Sequence, residues 1–123
     1  MTTCAACGFK TRSEELFGTY EICPVCDWED DGVQLANPAC EGGANRESLI
    51  QYQLKWLQKY PMAIKQVDEF DRDSRWRPLN AGEIAIAENE CQQKYWMNSA
   101  ILHLSEAYWQ KTDNTAQLSE KDK

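Results

Sequence analysis

Two short motifs carry the chemistry open to this chain: Cys4-Ala5-Ala6-Cys7 and Cys23-Pro24-Val25-Cys26, two C-x-x-C pairs with 15 residues between them. Two residues between thiolates let both reach one ion from a tight turn. A second pair returning on a hairpin completes a tetrahedral set. Four thiolates suit Zn²⁺, which has no redox chemistry, and they leave no coordination position for a substrate. Cys4, Cys7, Cys23 and Cys26 are therefore expected to hold a structural zinc, with iron in a rubredoxin-like centre as the alternative occupant of the same thiolates. Two disulfides or a redox C-x-x-C are the competing readings; the disulfide reading requires an oxidising compartment, to which nothing else in the chain points.

The elements that must position these sulfurs are short. Gly8 follows the first pair and Pro24 lies inside the second, where a positive φ and a preset φ respectively favour a tight knuckle. Between the pairs Phe9, Leu16, Phe17, Tyr20 and Ile22 form brief apolar runs with Gly18 as a turn, the pattern of a zinc ribbon. A module of about forty residues buries too little apolar surface to stand alone, which couples its folding to its ion. The expected organisation is α+β: a zinc-ribbon-like metal module over 1–44, packed on a mainly helical part over 45–111, and a polar tail over 112–123.

Within the second part, Asn45 is placed to cap a helix carrying Leu49, Tyr52, Trp56, Leu57 and Tyr60, which Pro61 ends. Met62, Ile64, Val67 and Phe70 suggest a second, short helix. Arg72, Arg75 and Arg77 flank Trp76 in a stretch dense in acids, and an exposed network neutralised by Asp68, Asp71 and Asp73 is expected there. From Ala81 to Lys111 no proline intervenes, and Ile84, Ala87, Cys91, Tyr95, Asn98, Leu102 and Trp109 recur at three- and four-residue steps. That spacing predicts one long helix, or two joined near Asn98 and Ser99. Val33-Gln34-Leu35 reads as a short strand or turn.

Net charge is −7, with nine acids against five bases in residues 1 to 60 and eleven against eight in the remainder. Nonspecific nucleic-acid affinity comes from lysines and arginines displacing counterions, so this balance argues against a phosphate-binding surface. No stretch resembles a secretory leader or is long and apolar enough to span a bilayer, and the cytoplasm is the expected compartment. Asp27-Trp28-Glu29-Asp30-Asp31 surrounds one aromatic with carboxylates. It reads either as a solvated acidic loop or as a partner-binding surface with an aromatic anchor and a charged rim, and the EF-hand spacing is not met. His103 is the one histidine, and no nucleophile motif, P-loop or dinucleotide fingerprint accompanies it, so no catalytic residue is assigned and no enzyme is expected. Cys40 and Cys91 fall outside the tetrad and are expected to be buried and inert.

The segments C-A-A-C-G, Y-E-I-C-P-V-C-D-W-E-D-D-G-V-Q-L and G-G-A-N-R-E-S-L resemble the cysteine-rich CPCC family of small, mostly bacterial proteins, over roughly residues 4–49. The chain departs from the family pattern at its first knuckle, where C-P-C-C is replaced by Cys4-Ala5-Ala6-Cys7. The resemblance implies a metal-binding module and offers no active site to carry over. Small size, acidic charge and abundant aromatics suit a cytoplasmic protein-binding module, most concretely an immunity or antitoxin protein that blocks a basic toxin or effector domain such as a nuclease. Neither a nucleic-acid nor a membrane partner is expected. A nucleic-acid-binding ribbon and a redox or metal-handling protein are the rival readings.

Overall fold

The computed structural model describes residues 1–13 and 15–111, so the tail expected over 112–123 lies outside the described residues. The α+β class holds. β1 (Thr2–Thr3) and β2 (Lys10–Arg12) pair antiparallel, Thr2 opposite Arg12 and Thr3 opposite Lys10, with the first knuckle as their connection. The second knuckle is closed by a bridge between Ile22 and Glu29. There follow α1 (Gly32–Ala36), α2 (Leu49–Lys59), the hairpin β3 (Gln66–Val67) and β4 (Phe70–Asp71), α3 (Ala81–Gln93), and two 3₁₀ turns at Leu104–Glu106 and Tyr108–Gln110.

Four local expectations are corrected, each for a physical reason. Val33-Gln34-Leu35 lies in α1, because the Asp31 carboxylate accepts from the N–H groups of Val33 and Gln34 and so starts a helix there. The cap of α2 is Ser48, not Asn45: the Ser48 hydroxyl accepts from the Gln51 N–H while the Gln51 side chain reaches back to the Ser48 N–H. Residues 62–70 form no helix. Val67 pairs with Phe70 across a turn in which Asp68 takes a φ of 54°, and cross-strand partners around a two-residue turn share the i, i+3 spacing of a helix face.

Neither one long helix nor two joined near Asn98 and Ser99 spans 81–111: α3 stops at Gln93, and the two short 3₁₀ turns are all the helix that follows among the described residues. Asn98 draws the chain away: its N–H donates to the Asn37 side chain, and its amide donates to the Ala36 carbonyl and the Glu90 carboxylate. Residues 101–103 then run extended along the ribbon, the Ile101 N–H donating to Gly32 and the Leu102 carbonyl accepting from Phe17.

One buried cluster unites the two parts. It runs from the four cysteines through Phe9, Phe17 and Trp28 to Leu49, Ile50, Trp76, Leu79, Ala87 and Trp109. Burial of this apolar surface, rather than the four two- and three-residue strands, supplies most of the stabilisation. No helix among the described residues is long and apolar enough to cross a membrane.

Candidate metal centre

Each C-x-x-C pair sits on the same backbone device. The Cys4 N–H donates to the Phe9 carbonyl and the Gly8 N–H to the Cys4 carbonyl, and in the second knuckle the Cys23 N–H donates to Trp28 and the Asp27 N–H to Cys23. The residue after each second cysteine takes a left-handed conformation, Gly8 with φ 82° and Asp27 with φ 66°. Glycine does this without strain, and aspartate is among the few L residues that tolerate it. At Gly8 there is a second constraint, since an added Cβ would press into the Trp76 ring.

The two knuckles bring all four sulfurs within 4.8 Å of one another. Cys4 Sγ lies 3.7 Å from Cys26 Sγ and Cys7 Sγ 3.7 Å from Cys23 Sγ. A tetrahedron of sulfurs with bonds of about 2.3 Å to a central zinc has edges of about 3.8 Å, so the donor set fits a four-coordinate thiophilic ion. None of the six cysteines is in a disulfide. The four sulfurs are shielded from solvent, with residue exposures of 0, 1, 0 and 0 % for Cys4, Cys7, Cys23 and Cys26. The cluster is closed on every side, which suits a structural ion and offers no opening to a substrate.

Electrostatics of the sulfurs follow from that burial. Desolvation pushes the Cys4 thiol up, and Cys26 is pushed up mainly by its hydrogen bond to Cys23. Cys23 is held low, principally by hydrogen bonds from Cys26, Cys4 and Cys7 and also from Thr11, whose hydroxyl lies 3.3 Å from its sulfur. Cys4, Cys7, Cys23 and Cys26 would hold a cation as thiolates, and the cation would compensate the charge that burial otherwise disfavours.

A family model described as Cysteine-rich CPCC matches residues 2–74. The chain belongs to the cysteine-rich CPCC family. No curated protein matches it. The family match reaches beyond the 4–49 span over which the sequence motifs are recognisable, and takes in α2, the β3–β4 hairpin and Arg72.

In this CPCC-family chain those later residues brace the first knuckle. Arg72 is buried: its Nε donates to the Cys7 carbonyl at 3.1 Å, and its terminal nitrogens donate to the carbonyls of Tyr60, Pro61 and Ile64 at 2.9, 2.7 and 3.0 Å. The guanidinium also stacks 4.4 Å from the centre of the Phe9 ring. The exposed arginine network expected around Trp76 is thus corrected. Arg72 is an internal brace, Arg77 pairs with Glu83 at 2.7 Å, and Trp76 is buried with its indole N–H on the Ala5 carbonyl at 3.2 Å. Gln53 on α2 donates to the same Ala5 carbonyl at 2.9 Å and accepts from the Leu79 N–H.

The acidic segment is also redistributed. Trp28, read as an anchor for a partner, is 2 % exposed and packs edge-on against Tyr52 at 5.0 Å. Asp30 is buried, paired with Arg12 at 2.7 Å and accepting from the Thr19 N–H and hydroxyl. Asp31 is buried as the α1 cap and also accepts from the Ala44 N–H. These three therefore face inward, and of the five only Asp27 is exposed, with Glu29 half-buried. Gln34 was not singled out by any motif, yet it is wholly buried and organises the loop after α1: its amide donates to Cys40, Asn45 and Glu47 carbonyls and its oxygen accepts twice from Asn45. A glutamine beside Leu35 in a short apolar run is the only trace of that role in the sequence.

Proposed function

We propose that this CPCC-family chain is an acidic protein-binding module built on a structural zinc centre, and that it acts in the cytoplasm on a basic protein. The zinc assignment is supported by the buried four-sulfur cluster, whose edges fit that ion and whose closure leaves no reactive face. Elemental analysis of the purified chain is expected to give one zinc per molecule. Well under one equivalent, or iron as the metal recovered, contradicts the assignment.

The binding role is supported by the net charge of −7 together with exposed aromatic and aliphatic side chains on the ribbon and the turn after α3, among them Tyr20, Ile22 and Trp96. Opposite charge accelerates encounter and aromatic anchors hold a complex. The most concrete form is an immunity or antitoxin protein that occupies the phosphate-binding face of a basic toxin such as a nuclease. Affinity capture from nuclease-treated lysate at several salt concentrations, followed by mass spectrometry, is expected to recover a stoichiometric basic protein. Recovery of nucleic acid alone, or of nothing, refutes the binding role and favours the rival ribbon readings.

A further inference from the structure

We infer that the groove between Tyr20 and Trp96 is a receptor for one cationic side chain, an arginine or lysine presented by the partner. The inference rests on the protein-binding reading above and supplies it with a site. The groove has a volume of about 570 Å³, and its lining includes Tyr20, Trp96, Glu29, Val33 and the Gly42–Gly43–Ala44 loop. Ligand-sized clefts fall in this range.

Both aromatic walls are exposed, Tyr20 at 57 % and Trp96 at 36 %, and both stand on left-handed backbone, φ 62° and 58°. Bulky L residues rarely adopt that conformation, and it persists only where neighbours impose it. Tyr20 is fixed by its N–H on the Asp30 carbonyl, and Trp96 lies between the end of α3 and the Asn98–Asn37 clamp. The floor is equally constrained. A Cβ on Gly43 would meet the Gln34 side chain at 2.7 Å and the Asp31 carboxylate at 2.8 Å, so the loop lies flat against the start of α1.

Charge selects the occupant. Both Asp31 oxygens are taken by the N–H groups of Val33, Gln34 and Ala44. The Glu29 carboxylate, by contrast, has no hydrogen-bond or ionic partner among the described residues, although the Glu29 backbone N–H and carbonyl are both bonded to Asn45. No lysine or arginine is among the lining residues. An anion is repelled, and a neutral apolar group would strip water from Glu29 without replacing it. A guanidinium or ammonium satisfies the carboxylate and meets two aromatic rings at once. Arginine fits better than lysine, because its plane stacks on a ring while its fork reaches the carboxylate.

The test uses the metal-loaded full chain, labelled with ¹⁵N, titrated with the peptide acetyl-Gly-Arg-Gly-amide and with the same peptide carrying citrulline, a neutral isostere. Saturable shifts are expected at Tyr20, Glu29, Gly42, Gly43 and the Trp96 indole, with the citrulline peptide bound about ten-fold more weakly. Glu29→Gln is expected to weaken the arginine peptide about five-fold and leave the citrulline peptide unchanged, and Trp96→Ala to abolish saturation. If Trp96→Ala loses its dispersed spectrum or its metal, Tyr20→Ala replaces it. Unsaturable drift over the whole acidic surface, equal binding of the two peptides, or indifference to both aromatic substitutions overturns the site. A captured basic protein whose affinity survives Tyr20→Ala and Trp96→Ala overturns the groove and leaves the module reading intact. Peptide binding in the groove with no protein captured does the reverse.

Discussion

Arg72→Lys tests whether the metal knuckle depends on a brace supplied from 65 residues away in sequence. The guanidinium makes four hydrogen bonds to carbonyls, those of Cys7, Tyr60, Pro61 and Ile64. A lysine ammonium keeps the charge but has no Nε on its stem, so the bond to Cys7 is lost outright. Its three donors radiate from one point, and the remaining carbonyls cannot all be met in the geometry that the fork serves. One or two charge-assisted bonds at about 1.5–3 kcal/mol each, and the stacking on Phe9 at roughly 1 kcal/mol, give an expected loss of about 2.5–7 kcal/mol. Domains of this kind have about 5–15 kcal/mol in all. Urea unfolding of the two chains, followed by tryptophan fluorescence at one fixed free-zinc concentration, measures the difference. A cobalt-substituted sample reports the thiolate site separately, and chelator extraction from the variant is expected to be faster. A loss below about 0.5 kcal/mol, the range of an ordinary surface change, refutes the brace.

Gly8→Ala imposes both a left-handed alanine, at about 1–2 kcal/mol, and a Cβ against Trp76, at about 1–3 kcal/mol of overpacking. Because Trp76→Leu has a cost of its own, the overpacking is read as a cycle: Gly8→Ala is expected to cost less in a Trp76→Leu background than in the native chain in the same unfolding assay, and an equal cost in both refutes the clash. Asp27→Ala is expected to be about 1 kcal/mol less stable than Asp27→Gly, because the side chain at this position matters through its positive φ; equal stabilities would show that the conformation is no constraint. Glu83 is raised by burial but lowered more by the Arg77 fork and the Asn80 N–H, leaving it below the usual carboxylate range. Its contribution is present above the unfolded glutamate pKa and is lost as pH falls through the lower folded value. Melting temperatures from pH 6 to pH 3 should therefore fall more steeply for the native chain than for Glu83→Gln, which keeps the helix cap; parallel profiles refute the pairing.

The metal knuckles were legible because their chemistry is local. Two thiolates two residues apart, a glycine beyond them and a return at hairpin distance leave few arrangements, and the sulfurs meet in the structure as that spacing requires. What was illegible depends on long-range partners. Val67 and Phe70 carry the same three-residue spacing whether they share a helix face or oppose each other across a turn. The chain after Gln93 keeps a helical pattern of apolar residues, but Asn98 finds a better set of partners on Asn37, Ala36 and Glu90 than a continuing helix would give it. Propensity is a weak prior against contacts of that kind.

The acidic segment makes the same point for charge. Four carboxylates written around one tryptophan look like one surface, yet the chain turns at Asp27 and starts a helix at Gly32, so that successive side chains go to different tasks. Asp30 enters the ribbon because Arg12 awaits it there, and Asp31 enters because a helix start leaves N–H groups that need an acceptor. Trp28 follows the cysteines into the same buried cluster, with Tyr52 packed edge-on against its ring. Glu29 alternates outward between Trp28 and Asp30 and is the one half-exposed carboxylate of the set to line a groove with exposed aromatic walls. Net charge in a sequence therefore bounds what the protein can approach, while the location of the charge that meets a partner is decided by which carboxylates the fold has already neutralised.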